Sequence, residues 1–156
     1  TGVQTCALPI LKMNKFNLPN PVPANGNYTP YHIDGNLIYI SGQLPIRDGK
    51  LVTTAGDNSF VEIAQLQMEI VTLNILSHVM SAVDGDKNRI ESCVKLTAYL
   101  VPPEGFFEHA LISNIGSDMI NDFLKPPQNH TRTTIGIKSL PLGSLVEADA
   151  IFKITA

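Results

Sequence analysis

The chain has 156 residues, of which 44% are hydrophobic, 6% aromatic and 16% charged, which fits one domain with a substantial core and excludes two large ones. Its formal net charge of −3 excludes the cationic excess with which a protein neutralises many phosphates, so no nucleic-acid partner is expected. No apolar run reaches the roughly 18 to 20 residues of a membrane span, and no membrane partner is expected either.

The first residues, Thr1-Gly2-Val3-Gln4-Thr5-Cys6-Ala7-Leu8-Pro9-Ile10, resemble the translation of a sequencing-adapter oligonucleotide and lack the charged and apolar regions of a signal peptide. Residues 1–12 are therefore expected to be a non-native leader, and 13–156 a single domain beginning at Met13. Beyond the leader Cys93 stands alone. One cysteine builds neither a disulfide framework nor a zinc site, so the expected setting is reducing and cytoplasmic.

Pro19, Pro21, Pro23 and Pro30 make residues 17–30 an extended lead-in rather than a helix or central strand. Asn36 to Gly42 reads as a buried strand, and Asp48-Gly49 as a tight turn between two short extended pieces. Ser59 followed by Glu62 has the spacing of a capping box and opens a long helix that ends at Asp84-Gly85-Asp86. That helix is apolar around most of its circumference, with a narrow polar stripe of Glu62, Gln65, Glu69 and Thr72; it is expected to pack on a sheet with further cover from another element or subunit. Ser92 to Val101 alternates, with Val94, Leu96, Ala98 and Leu100 on one face and Cys93, Lys95, Thr97 and Tyr99 on the other. A second helix is expected from about Glu104 to Leu124, with Phe107, Leu111, Ile115 and Met119 on its apolar face. Strands at Arg132 to Ile137 and Leu145 to Ile154 complete an α+β layout with both helices on one face of a mixed sheet.

Nucleotide-binding loops, zinc-protease and serine-hydrolase motifs are absent from the sequence. Of the four histidines only His130 lies beside a more informative segment. In the last strand a period of two places Glu147 and Asp149 on the face opposite Val146, Ala148, Ala150, Phe152 and Ile154. If the last two strands pair with their apolar faces shared, Arg132 and Thr134 stand on the Glu147 side. A guanidinium beside a carboxylate suits a small carboxylate-bearing substrate, the arginine binding it and the glutamate handling a water; a cross-strand ion pair on a solvated face is the alternative.

The segments Gly26-Asn27-Tyr28, Tyr39-Ile40-Ser41-Gly42-Gln43-Leu44-Pro45, Arg132-Thr133-Thr134-Ile135-Gly136-Ile137-Lys138-Ser139-Leu140-Pro141 and Val146-Glu147-Ala148-Asp149-Ala150 resemble the YjgF/RidA family of enamine/imine deaminases, long labelled L-PSP endoribonucleases. The resemblance runs from about Leu18 to Ile154. It implies a chorismate-mutase-like fold, a homotrimer with sites in the clefts between subunits, and hydrolysis of reactive 2-imino acids to 2-keto acids and ammonia. Arg132 would bind the substrate carboxylate and Glu147 would place or deprotonate the attacking water. Tyr28, Ser41 and Asn114 would line the cleft together with Thr134, which stands where many members carry a cysteine. No metal or organic cofactor is implied. A trimeric binding protein for small carboxylates without turnover is the competing expectation, and RNA cleavage fits poorly with the acidic balance.

Overall fold

The computed structural model describes residues 16–54 and 56–155, so the leader expected at 1–12 and the start expected at Met13 lie outside the described residues. The strands are β1 (Tyr31–Asp34), β2 (Leu37–Gln43), β3 (Ile46–Arg47), β4 (Lys50–Leu51), β5 (Ile90–Leu100), β6 (Thr131–Gly136) and β7 (Val146–Ile154); the helices are α1 (Phe60–Ala82) and α2 (Ala110–Leu124). Five strands form one mixed sheet in the order β1-β2-β7-β5-β6, and β3 and β4 form a separate hairpin. All pairs in the large sheet are antiparallel except β5 and β6. That pair is parallel because the chain returns through α2, the crossover that a parallel neighbour requires. Among the described residues no helix is long and apolar enough to cross a membrane.

The α1 capping box forms as its spacing predicts. The Ser59 hydroxyl accepts from the Glu62 amide, and the Ser59 amide donates to Glu62 Oε2 at 2.9 Å, so two free donors at the helix start are satisfied. Ala64, Met68, Val71, Ile75 and Val79 share a core with Ile38 and Ile40 of β2, Leu96 and Ala98 of β5, and Ala148 and Phe152 of β7. Buried polar residues on the far side of α1 serve the loops around it. Gln67 donates to the Val52 carbonyl and accepts from the Leu145 amide, Asn74 donates to the carbonyls of Leu44 and Ile46, and Ser77 donates to that of Pro19. The cover anticipated for α1 therefore comes from its own chain: the lead-in and the β3–β4 hairpin cross its outer side. On the remaining side α2 approaches closely at Gly116, where a Cβ would overlap the Met68 methyl.

Three local expectations change. Helix α2 begins at Ala110 rather than near Glu104, because Gly105 adopts φ +80 in a turn and residues 102–109 are non-helical. Phe107 consequently leaves the apolar face assigned to it and is 86% exposed. In β5 the alternation slips at an irregularity between Cys93 and Lys95, which turns Cys93 into the core at 5% exposure and Val94 outward. Burial there pushes the Cys93 thiol up to about 12, so it is a packing residue and not a nucleophile. The third change concerns pairing: β6 does not neighbour β7, because β5 lies between them.

Candidate functional site

The register across β5 decides which way Arg132 points. Leu96 pairs with Arg132, Ala98 with Thr134 and Leu100 with Gly136, and Leu96, Ala98 and Leu100 are core residues under the helices. Residues paired across a sheet share a face, so Arg132 and Thr134 project toward α2. Arg132 Nη1 donates to Asn114 Oδ1 at 2.8 Å and to Ser117 Oγ at 3.0 Å. Asn114 and Ser117 sit three apart on α2, the spacing that aligns two side chains on one helix face. Ser117 Oγ also lies 2.8 Å from His130 Nε2. Burial, and then the charge of Arg132, hold the His130 imidazole below its usual range. Neither ion pair found among the described residues involves Arg132, so its charge is held in place by neutral acceptors and left available to an anion. One pleat repeat along the strand, Thr134 Oγ1 is buried with no hydrogen-bond partner.

Glu147 belongs to a different neighbourhood. It pairs with Tyr99, and Asp149 with Thr97, on the sheet face away from the helices. Tyr99 donates its hydroxyl to Asp149 Oδ2 at 2.9 Å. Burial, followed by the adjacent Asp149 charge, raises the Glu147 carboxyl above the usual carboxylate range. Tyr99 is pushed up to about 12 by burial, by its bond to Asp149 and by both carboxylates, so it remains a phenol. The irregularity in β2 between Ile40 and Gln43 brings Gly42 against Glu147: a Cβ at Gly42 would overlap Glu147 Oε1. Gly42 also lines a small cleft with Tyr28, Pro30, Gln43 and Leu44. Tyr28 is 52% exposed there, while Ser41 donates to the Thr29 carbonyl at 2.6 Å and ties the Tyr28 loop to β2.

Sequence reasoning expected Arg132 and Thr134 on the Glu147 side, and the structure corrects this. Ile135, assumed to face the core, is 44% exposed on the open face, and the polar residues between are the ones beneath α2. Glu147 pairs with Tyr99 and Tyr99 with Ile135, so Arg132 lies two strands away and three residues back. That is roughly 10 Å across the sheet and about 10 Å along it, on the opposite face. Six expected site residues thus form two groups: Arg132, Asn114 and Thr134 under α2, and Glu147, Ser41 and Tyr28 around the β2–β7 edge. Ser117 and Gly42 were not singled out, although the Asn-x-x-Ser spacing on a helix could have flagged the first. Among the described residues no group of three His, Cys, Asp or Glu side chains is placed to hold a metal ion.

A mixed α+β sheet with two helices packed on one face is an architecture shared with known proteins. The model of the family described as Endoribonuclease L-PSP matches residues 19–154, and the chain belongs to that family, the YjgF/RidA family. Protein TCP17 of Trypanosoma cruzi is 30% identical over 142 residues, covering 89% of this chain and 88% of that protein. Among solved structures, the protein Atu1372 of unknown function from Agrobacterium tumefaciens superposes with a TM-score of 0.76 at 36% identity, covering 86% of this chain and 87% of that one. A candidate endoribonuclease from Shewanella oneidensis superposes with a TM-score of 0.80 at 27% identity, covering 89% and 93%. Family membership supports a role in processing small molecules.

Proposed function

We propose that the protein hydrolyses small reactive 2-imino acids, and the enamines that give rise to them, to 2-keto acids and ammonia. The observation that carries this reading is Arg132: a guanidinium with no carboxylate partner among the described residues, braced by Asn114 and Ser117 beside an unpartnered Thr134 hydroxyl. A planar fork so held suits the carboxylate that every 2-imino acid carries. Burial and the Asp149 charge raise the Glu147 carboxyl above the usual carboxylate range, which makes it a stronger base than an exposed carboxylate.

In this reading water adds to the carbon of the protonated C=N bond while Glu147 takes one of its protons. Glu147 then returns the proton to the amino nitrogen of the resulting carbinolamine. The C–N bond breaks as the hydroxyl oxygen closes the C=O bond, and the hydroxyl proton leaves with ammonia as ammonium. Imines hydrolyse readily in water, so orientation and charge placement supply enough acceleration without a cofactor.

One chain holds Arg132 and Glu147 too far apart, and on opposite faces, for a small imino acid to meet both. The proposed site therefore combines the Arg132 group of one copy with the Glu147 group of another, in a cytoplasmic homotrimer. The open sheet face supports such an assembly, since Tyr39 and Ile135 stand exposed on it. The negative net charge argues against an RNA substrate despite the family's description.

The test is turnover of imines generated by an amino-acid oxidase and trapped with semicarbazide. Arg132→Ala should lower kcat/KM about 100-fold or more, as loss of a charged hydrogen-bonding anchor does. Wild-type turnover in that variant would refute the reading. Binding of 2-oxobutyrate without any rate above background would favour a carboxylate-binding protein instead.

A further inference from the structure

Ser117 stands between two residues whose relationship goes beyond holding a substrate. Its Oγ is 3.0 Å from Arg132 Nη1 and 2.8 Å from His130 Nε2. A guanidinium can only donate, so the Ser117 oxygen accepts from Arg132 and its own hydrogen is free to go to His130. In the tautomer that carries its proton on Nδ1, His130 Nε2 is the acceptor for that hydrogen. The chain of bonds in that tautomer runs Arg132 to Ser117 to His130, with the Ser117 hydroxyl accepting from the first and donating to the second. Asn114 Oδ1 takes the second hydrogen of the same Nη1 at 2.8 Å. Both hydrogens of Nη1 are thus committed to α2, whereas Nη2 and Nε have no hydrogen-bond partner among the described residues.

We propose that His130, acting through Ser117, is a positioning residue that pins Nη1 of Arg132 against α2 and so obliges the ligand carboxylate to approach along the Nε–Nη2 edge of the guanidinium. The ligand class is the small carboxylate of the proposed function, and the inference rests on that reading for its binding consequence only. A side-on fork leaves the carboxylate one orientation instead of two. This is how a neutral imidazole that touches no substrate could still set which face of the C=N bond meets water. His130 Nδ1 is buried with no partner, so the Ser117 bond is the ring's one polar contact and its loss would release the ring.

The experiment has two arms on the full chain. In the ligand-free protein, nitrogen-detected NMR of the arginine side chains reads rotation about the Cζ–Nη1 bond of Arg132. The wild type should show separate Nη1 hydrogens, His130→Phe and Ser117→Ala should show them averaged, and His130→Gln, which keeps an acceptor near the Nε2 position, should keep them separate. In the second arm, calorimetric affinity for 2-oxobutyrate should fall about five- to tenfold in His130→Phe and stay within about twofold of wild type in His130→Gln, the scale of one lost hydrogen bond. Unchanged rotation in His130→Phe, or equal losses in the Phe and Gln variants, would overturn the proposal. If Arg132→Ala binds 2-oxobutyrate as the wild type does, the carboxylate-binding reading of Arg132 fails. The rotation arm still decides whether His130 holds Nη1.

Discussion

Arg132 and Glu147 leave opposite faces of one sheet, with β5 between their strands. Each has distinct surroundings: Arg132 donates to neutral acceptors on α2, and Glu147 is desolvated beside a neighbouring carboxylate. In the proposed function a single chain carries two half-sites, and a complete site is a property of an interface between copies. Such interfaces repeat by symmetry, so every copy contributes both halves.

Gly42 shapes the Glu147 half-site by what it lacks. Its missing Cβ is the space that Glu147 Oε1 occupies, so Gly42→Ala must move either the carboxylate or the β2 backbone. A displacement of about 1 Å costs roughly 10- to 100-fold in a positioned reaction, and kcat should fall by that order. Affinity for 2-oxobutyrate, which depends on the other half-site, should change little. Equal losses in rate and affinity would indicate a wider structural effect.

Asp149 raises the Glu147 pKa through its negative charge, after the larger contribution of burial. A catalytic base is lost as pH falls through its pKa, so activity should decline on the acid side. Asp149→Asn removes the charge and keeps an acceptor for the Tyr99 hydroxyl, so the acid limb of kcat/KM should move to lower pH. A pH–rate profile over about pH 4 to 9 checks this, and a shift to higher pH would contradict it.

Glu69 is 0% exposed in α1, both carboxylate oxygens lack hydrogen-bond partners, and burial raises its pKa to about 7. The fold holds this proton more tightly than the unfolded chain does. The stability it contributes is therefore full below about pH 4.5 and is lost as pH rises to about 7, a change on the order of 3 kcal/mol at most. Glu69→Gln should unfold at higher urea than wild type at pH 8, by about 1 to 3 kcal/mol, and the difference should shrink toward pH 5. A constant difference across that range would show that the carboxyl does not titrate as described.

What the sequence disclosed depended on whether a signal was local. The capping box at Ser59 and Glu62, the Asp48-Gly49 turn and the alternation in β7 are set by neighbours within a few residues, and each appears in the structure. Strand β1 lay hidden after the proline-rich lead-in because its four residues, Tyr31–Asp34, carry little apolar periodicity at a sheet edge. Cys93 and Val94 exchanged faces because one irregularity reverses every side chain beyond it. The face on which Arg132 stands differs from the one its strand's apolar pattern suggests. Ile135 looks like a core residue until β6 is known to be an edge strand parallel to β5, which no spacing within β6 reveals. The apolar girth of α1 called for cover from another element or subunit without saying which, and Gln67, Asn74 and Ser77 show loops of the same chain supplying it.

The most direct measurement is complementation between two damaged chains. Arg132→Ala and Glu147→Gln, each inactive alone, are unfolded and refolded together in equal amounts, and imine hydrolysis is compared with that of each variant refolded by itself. If a site takes Arg132 from one copy and Glu147 from another, random assembly leaves about one site in four with both groups intact, and about a quarter of wild-type activity should return. If both groups act within one chain, every chain remains defective, and the mixture stays as inactive as its components.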